Sequence, residues 1–179
     1  GATKFYHSVG PRAQQLQSLN VDGELEWLPQ ENILFPGADV EIATSVNLRG
    51  DARFIGWEIN CLGRPVIEER FDYGTATFRF QLLRDGLPVL HERMVISGEQ
   101  ALNSAVGLRG HSVFATLYAT VDDQQIIDTL RSALPAEHEG TLGITQVDSL
   151  LIARYLGDST ETARNLFIAL WKILRPEIL

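Results

Sequence analysis

The chain has 179 residues, 45% of them hydrophobic and 21% charged, which is typical of a folded globular protein and argues against disorder. Asp and Glu outnumber Lys and Arg by 23 to 15, and the resulting net charge of −8 argues against a nucleic-acid-binding surface. The length suits one domain, so residues 1–179 are taken as a single unit.

Cys61 is the only cysteine, so the chain can form neither an internal disulfide nor a cysteine-based zinc site. A run of about 18 apolar residues, as a membrane span requires, does not occur, and residues 1–6 have no signal-peptide pattern. These features predict a cytoplasmic protein that binds neither membranes nor nucleic acids.

Strand-like alternation dominates the first half of the chain, from Lys4 to about Ile96. Residues 40–48 alternate core-type and polar side chains, as a half-buried strand does. In residues 54–61 one face carries Ile55, Trp57, Ile59 and Cys61, and the other carries Phe54, Gly56, Glu58 and Asn60. Residues 78–82 and 89–96 form a predicted hairpin around the turn at 84–88, in which Gly86 supplies a positive φ.

The second half mixes strands with helices. Residues 113–121 alternate again, and Asp122 is a candidate cap for a short helix that ends at Pro135. The inner face of that helix is formed by Ile126, Ile127, Leu130 and Leu134. Residues 136–140 form a polar loop, and further strands are predicted at 142–147 and 150–155.

The last predicted element is a helix that begins after the capping segment 158–161 and ends at Pro176. Its core face repeats at helical spacing through Ala163, Leu166, Phe167, Leu170, Trp171 and Leu174. Ile168 and Ile173 lie off that stripe, which widens the apolar surface beyond what one core face needs. Such a surface favours contact with a partner protein, so Ile168, Trp171 and Ile173 are candidate partner-binding residues.

Together these elements predict a mainly β fold of stacked sheets, either β-helix-like or sandwich-like, with two helices in the C-terminal part. Glycine-containing breaks recur about every 12 residues through the β region, as in an all-β stack. No repeated motif accompanies them, so a sequence-repeat solenoid is not predicted.

Motifs of the common catalytic sites are missing from the sequence. It contains no Gly-x-Gly-x-x-Gly or Gly-Lys-Ser/Thr loop for nucleotides and no Gly-x-Ser-x-Gly nucleophile elbow. The histidines, at positions 7, 91, 111 and 138, stand singly and lack the spacing of metal-ligand pairs. We therefore expect no catalytic residues and no tightly bound metal or cofactor.

Two carboxylates are candidates for a functional role because each shares a strand with core-type residues. Glu92 lies on the same strand face as Leu90, Met94 and Ile96, and Glu58 lies opposite the Ile55–Ile59 face. A buried carboxylate must find a cation, a hydrogen bond or water. One interpretation is a structural ion pair between Glu92 and an arginine such as Arg64 or Arg70. The other is that both acids line a wet channel for a hydrated divalent cation, since weak, few-ligand contacts allow an ion to leave again.

Five sequence blocks in order along the chain resemble the UreD (also called UreH) family of urease accessory proteins. They are Gly1-Ala2-Thr3-Lys4-Phe5-Tyr6-His7-Ser8, then residues 26–38 (EWLPQENILFPGA), then Gly56-Trp57-Glu58-Ile59 with Leu62-Gly63-Arg64-Pro65, then Glu69-Arg70-Phe71, and finally residues 154–159 (RYLGDS) with Leu170-Trp171 and Leu174-Arg175-Pro176. Members of that family carry roughly a further third of chain before the first block, so the resemblance implies that this chain lacks the N-terminal part.

The resemblance implies a non-enzymatic role in urease maturation. It implies a complex with a UreF-type accessory protein, a UreG-type GTPase and apo-urease, in which a UreD-like protein contacts urease and provides a tunnel for nickel. Glu58 and Glu92 match positions where the family places tunnel carboxylates, and contact with the UreF-type protein is implied near the C-terminal helices. Nickel would be a transient cargo rather than a resident cofactor.

The sequence therefore leaves three functional hypotheses. The first is an assembly scaffold that also conducts nickel. The second is a pure interaction module that holds urease in an activation-competent state without touching metal. The third, from another class, is a hydrolase or lyase built on a β scaffold, which requires a pocket with a convergent nucleophile and base.

Overall fold

The computed structural model describes residues 1–121, 123, 125–135 and 137–178, and it contains two stacked β-sheets with helices packed against one of them. The strands are β1 (Thr3–Phe5), β2 (Ala13–Val21), β3 (Glu24–Trp27), β4 (Asn32–Leu34), β5 (Asp39–Leu48), β6 (Arg53–Arg64), β7 (Glu69–Arg70), β8 (Thr75–Arg84), β9 (Leu87–Ser97), β10 (Val113–Thr120), β11 (Thr141–Val147) and β12 (Leu150–Gly157). The helices are α1 (Gly98–Asn103), α2 (Ile126–Ala133) and α3 (Thr160–Ile178), with a 3-10 turn at Pro65–Ile67.

The first half of the chain winds between the two sheets. Sheet A has the strand order β1-β4-β6-β10-β12-β11, and β3 and β7 also pair with β6; sheet B has the order β2-β5-β8-β9. Strands β2, β5 and β8 run parallel in sheet B, while β3 and β4 run parallel to β6 in sheet A. The chain thus alternates between sheets like the coils of a β-helix, and antiparallel pairs complete both sheets. The predicted mainly β, stacked-sheet fold is confirmed.

The alternation read from the sequence matches the burial of the central strands. In β5 every second residue from Val40 to Leu48 is buried. Strand β6 is buried on both faces because sheet B covers one side of sheet A and helix α3 covers the other. The hairpin of β8 and β9 is confirmed, with Asp85 and Gly86 at φ values of 51° and 79° in the turn, as a two-residue type I′ connection requires.

Buried apolar residues form three clusters. The largest lies between sheet A and helices α2 and α3. The other two lie between the sheets: one around Ile42, Leu62 and Phe78, the other around Val46, Phe54 and Leu82. Because Ile42 and Val46 flank Thr44 on β5, the inter-sheet core is divided at the level of Thr44.

The C-terminal helices agree with the sequence in position, with two differences. Helix α3 is capped as predicted, since the backbone N–H of Thr162 donates to Oγ of Ser159 at 3.0 Å. The helix does not end at Pro176, as the sequence predicted, but continues to Ile178. A proline in the last turn removes one helical hydrogen bond, and burial of Ile178 against the core keeps the turn in place.

Two elements complete the comparison with the sequence. Helix α2 buries Ile126 and Leu130, as predicted, while Ile127 and Leu134 pack half-buried on the same cluster. The proposed cap Asp122 and the loop residue Ala136 lie outside the described residues. Helix α1 and the 3-10 turn were not predicted. None of the described helices has the length and apolar content that crossing a bilayer requires.

Candidate functional site

A row of polar side chains crosses the interior between the two sheets and separates its two apolar clusters. On sheet A, Glu58 is in register with Thr116, and Thr116 is in register with Arg154. On sheet B, Thr44 is in register with Phe80, and Phe80 with Glu92. We call the polar members of these facing rows the polar seam, which consists of Thr44, Glu58, Glu92, Thr116 and Arg154.

Strand alternation places the seam at one level of the sandwich. Thr44 stands between Ile42 and Val46 on its strand face. Glu58 stands between Gly56 and Asn60, and the core residues Phe54 and Leu62 follow one position further along the same face in each direction. Glu92 likewise lies between Leu90, which packs on one apolar cluster, and Ile96, which is buried in the other. Because side chains repeat every second residue on a strand, these polar residues can point only into the space between the sheets.

Glu58 is the deepest carboxylate of the seam. Its Oε1 accepts a hydrogen bond from the hydroxyl of Thr44 at 2.5 Å. Burial raises the pKa of Glu58 to about 7; the Thr44 hydrogen bond opposes the rise, and the nearby charge of Glu92 adds to it. Glu58 therefore exchanges its proton near neutral pH, unlike an ordinary surface carboxylate.

Glu92 lies closer to solvent and is half-buried. Its Oε1 is paired with Nη2 of Arg154, and its Oε2 accepts a hydrogen bond from the hydroxyl of Tyr118 at 2.9 Å. The sequence predicted, as one interpretation, an ion pair of Glu92 with an arginine such as Arg64 or Arg70; an arginine pair is present, but the partner is Arg154. Arg64 lies at the far end of β6 and pairs with Glu69. Arg70 lies on β7 and donates to Asn103.

Tyr118 connects the seam to the apolar cluster behind it. Its ring stacks on Phe80 with a centroid distance of 3.7 Å and an interplanar angle of 4°, while its hydroxyl reaches Glu92. Burial raises the pKa of Tyr118 well above its usual value, and the charges of Glu58 and Glu92 act in the same direction. Tyr118 is thus a neutral hydrogen-bond donor that holds Glu92 towards the interior.

A cavity of about 850 Å³ opens beside the seam. Its polar lining includes Glu58, Glu92, Asn60 and Arg154, and its apolar walls include Phe78, Phe114, Met94 and Leu156. It lies between the edge strands β9 and β11, next to the loop at 105–109. Glu58 and Glu92 therefore border the same cavity, and both are partly buried.

The polar layer also extends past Glu58 towards the opposite edges of the sheets. The Thr44 hydroxyl is 3.0 Å from Oε1 of Gln17 on the edge strand β2. Asn60 is buried and accepts a hydrogen bond from Nδ2 of Asn32 at 3.0 Å. At this level of sheet B, side-chain oxygens therefore lie on β2, β5 and β9, while β8 contributes the ring of Phe80.

The chemistry available in this layer is that of oxygen ligands. In the described residues no group of three or more His, Cys, Asp or Glu side chains is placed to hold a metal ion. Cys61 is buried on the opposite face of β6, and burial raises the pKa of its thiol to about 12, so it is neither a nucleophile nor a ready metal ligand. Carboxylate, hydroxyl and amide oxygens can contact a hydrated cation, but two carboxylates form a weak site at most.

The three candidate partner-binding residues on α3 are half-buried rather than exposed. Ile168, Trp171 and Ile173 pack on the rim of the cluster between sheet A and the helices. Nε1 of Trp171 donates to Oε1 of Glu26 at 2.8 Å, and the guanidinium of Arg175 lies 5.5 Å from the centre of the Trp171 ring. Their role in partner binding stays a prediction.

Sequence reasoning identified the two seam acids but not Thr44, Tyr118 or Arg154. A signal was present for two of them: Thr44 is the one polar residue on the buried face of β5, and Arg154 follows Ile152 on an otherwise apolar strand face. No sequence pattern pointed to Tyr118 as a site residue, because a tyrosine on a buried strand is typical of the apolar core.

Comparison with known proteins identifies similar chains. The family model described as "UreD urease accessory protein" matches residues 1–179. Curated relatives include urease accessory protein UreD of Alcanivorax borkumensis, 42% identical across 100% of this chain and 62% of that protein, and UreD of Nitrosococcus oceani, 44% identical across 100% and 61%. UreD of Pseudomonas fluorescens is 42% identical across 100% of this chain and 64% of its own length. The chain thus spans less than two thirds of the length of these relatives.

Proposed function

This chain belongs to the UreD family of urease accessory proteins, and on that premise we propose that it is a non-enzymatic, cytoplasmic scaffold for urease maturation whose polar seam forms part of a path for nickel. Its partners on this proposal are apo-urease, a UreF-type accessory protein and, through the complex, a UreG-type GTPase. Nickel is the cargo of the path and not a resident cofactor.

The observation that carries the proposal is the pair of carboxylates in the inter-sheet space. Apolar clusters lie on both sides of Glu58 between the sheets, and burying a carboxylate at this level costs stability. Glu58 has no arginine partner in the described part of the chain; its contact is the hydroxyl of Thr44. A carboxylate kept at such a cost, beside a cavity of about 850 Å³, supports a role in contacting a passing cation.

The form of the seam also suits transport better than storage. A cation that must leave again needs contacts that are favourable but few, and a site with many protein ligands would retain it. The seam offers two carboxylates with hydroxyl and amide oxygens, and a hydrated divalent ion can exchange between such oxygens without losing its whole water shell.

A second candidate function, a pure interaction module without metal contact, has one observation in its favour. The pairing of Glu92 with Arg154 satisfies that carboxylate within the protein, as a structural ion pair would. The two candidates make different predictions for variants that keep the shape of the seam and remove its charge.

The test is the double variant Glu58→Gln/Glu92→Gln in the full-length protein, with Glu69→Gln as a matched single-charge control on the surface. We expect the double variant to assemble with urease and the UreF-type protein as the wild type does, but to leave urease with less nickel and lower activity. The measurements are co-purification of the complex, nickel content of the urease and urease activity. Normal nickel loading by the double variant would refute the conduit role and leave the interaction module.

A further inference from the structure

Arg154 is paired with Glu92, the seam carboxylate that lies nearer to solvent. It lies on β12, in register with Thr116, which is itself in register with Glu58 on β6. Two strand spacings separate Arg154 from Glu58, or about 10 Å across the sheet. The side chains of Arg154 and Glu92 are 48% and 30% exposed, so the pair stands between solvent and the deeper Glu58.

Both carboxylate oxygens of Glu92 are engaged by donors of the protein. One carboxylate oxygen is taken by the guanidinium of Arg154 and the other by the hydroxyl of Tyr118. Each oxygen keeps a second lone pair, but a cation that approaches Glu92 meets the positive charge of the Arg154 guanidinium and competes with it for the carboxylate. Tyr118 is buried and stacked on Phe80, whereas the side chain of Arg154 is half-exposed, so Arg154 is the donor that can move away.

We propose that Arg154 is an exchangeable counter-cation of the seam, which a divalent cation displaces from Glu92 on entry and which takes the carboxylate back once the cation has moved on. Arg154 is then a positioning residue that keeps the site weak. This inference rests on the proposed function, because it assigns a regulator to the same metal path.

The contacts of Arg154 support exchange over permanent locking. A half-exposed ion pair contributes little net stability, and the long arginine side chain can move its head group into water while its stem stays packed. Arg64 gives the contrast within the same protein: it holds Glu69 through two parallel hydrogen bonds at 2.7 Å and 2.8 Å, while Arg154 contacts Glu92 through one nitrogen. The fork geometry of Arg64 stabilises its pair more than the single contact does.

Electrostatics gives the expected consequence of removing Arg154. Without the guanidinium, Glu92 keeps only the hydroxyl of Tyr118 and loses the positive charge that contacts it directly. A divalent cation should then bind more tightly and leave more slowly. If the pair of Arg154 and Glu92 were only structural, its removal would instead weaken metal binding, because Glu92 would lose its fixed position.

The test uses the full-length protein and nickel sulfate alone as the probe, measured by isothermal titration calorimetry. We expect Arg154→Gln to bind nickel about two- to fivefold more tightly than the wild type, as loss of a weak competing ion pair implies. Arg154→Lys, which restores a mobile point charge, should return the affinity towards wild type. Arg64→Gln is the matched control, since its pair has nearly the same exposure, 45% and 30%, and should leave nickel binding unchanged.

The rate at which urease acquires nickel provides the second measurement. Urease activated through the Arg154→Gln complex should acquire nickel more slowly, even though the variant binds the metal better. Weaker or unchanged nickel binding by a folded Arg154→Gln protein would overturn the inference. If that variant does not fold, Arg154→Met, which keeps the apolar stem and removes the charge, is judged by the same criterion.

Failure of this inference can be told from failure of the proposed function. If Glu58→Gln and Glu92→Gln lower nickel binding but Arg154→Gln does not raise it, the path stands and Arg154 has no part in its control. If neither carboxylate variant changes nickel binding or urease loading, the path itself is refuted and the inference falls with it.

Discussion

Thr44 and Glu58 lie on facing strands of the two sheets, with the hydroxyl oxygen of Thr44 2.5 Å from Oε1 of Glu58. This hydrogen bond spans the sandwich at the level where apolar contacts between the sheets are interrupted. It favours the charged form of a carboxylate that burial otherwise drives towards its protonated form. The balance between the two effects keeps the proton of Glu58 exchangeable near neutral pH.

Thr44→Val should raise the pKa of Glu58 further above about 7. The substitution keeps the branched shape of the side chain and removes the hydroxyl, which is the contact that lowers the pKa. The measurement is a carboxyl-carbon NMR titration of Glu58. Ser45→Ala, on the outer face of the same strand, is the control and should leave the titration unchanged. An unaltered midpoint in Thr44→Val would mean that the hydroxyl does not act on Glu58.

Glu58→Gln should change how stability depends on pH. The folded pKa of Glu58, about 7, lies above its ordinary value of 4.5, so the folded state binds the proton more tightly than the unfolded chain does. This contribution is fully present below about pH 4.5 and is lost as pH rises through 7. At pH 8 the glutamine variant should exceed the wild type in free energy of unfolding by about 3 kcal/mol, and the difference should shrink towards pH 5.

Urea unfolding of metal-free protein at several pH values measures this difference. Glu69→Gln is the control, because Arg64 lowers the pKa of Glu69 and the sign of any pH effect is reversed. Parallel stability profiles for wild type and Glu58→Gln would show that Glu58 is solvated like a surface acid.

Helix α3 gives a prediction about partner contact. Ile168→Glu and Ile173→Glu each place a charge on a half-buried apolar position at the rim of the helix–sheet cluster. We expect both variants to fold and to co-purify less with a UreF-type protein, because a charge in an apolar contact must be desolvated. Circular dichroism checks the fold and a pull-down checks the binding.

Asn165→Glu, on the exposed side of the same helix, controls for the added charge. Equal loss of binding in this variant would point to the charge rather than to the apolar contact. Unfolding of the Ile168 or Ile173 variants would assign those side chains to the core of the protein and contradict the partner prediction.

The sequence predicted the sheets better than the details of the site, and the reason is physical. Alternation in β5 and β6 follows from the two-residue repeat of a strand, which any half-buried sheet imposes on its sequence. The partner of Glu92 could not be found in that way. Arg154 is 62 residues from Glu92 in the chain, and only the stacking of the two sheets brings β12 over β9.

Two further differences come from tertiary contacts that override local preference. Pro176 is a strong signal for the end of a helix, yet the buried side chain of Ile178 holds one more turn against the core. Ile168 and Ile173 lie off the main apolar stripe of α3, but the cluster on sheet A is wide enough to cover part of both.

The division of the inter-sheet interior by the polar seam has a consequence for anyone who engineers the protein for heat resistance. A library screened only for stability at high temperature would favour variants in which valine or leucine replaces the seam carboxylates and joins the two apolar clusters. A continuous apolar core is more stable than one interrupted by carboxylates. On the proposed function, such variants would be thermostable but inactive in urease maturation. Selection would therefore have to include urease maturation in every round.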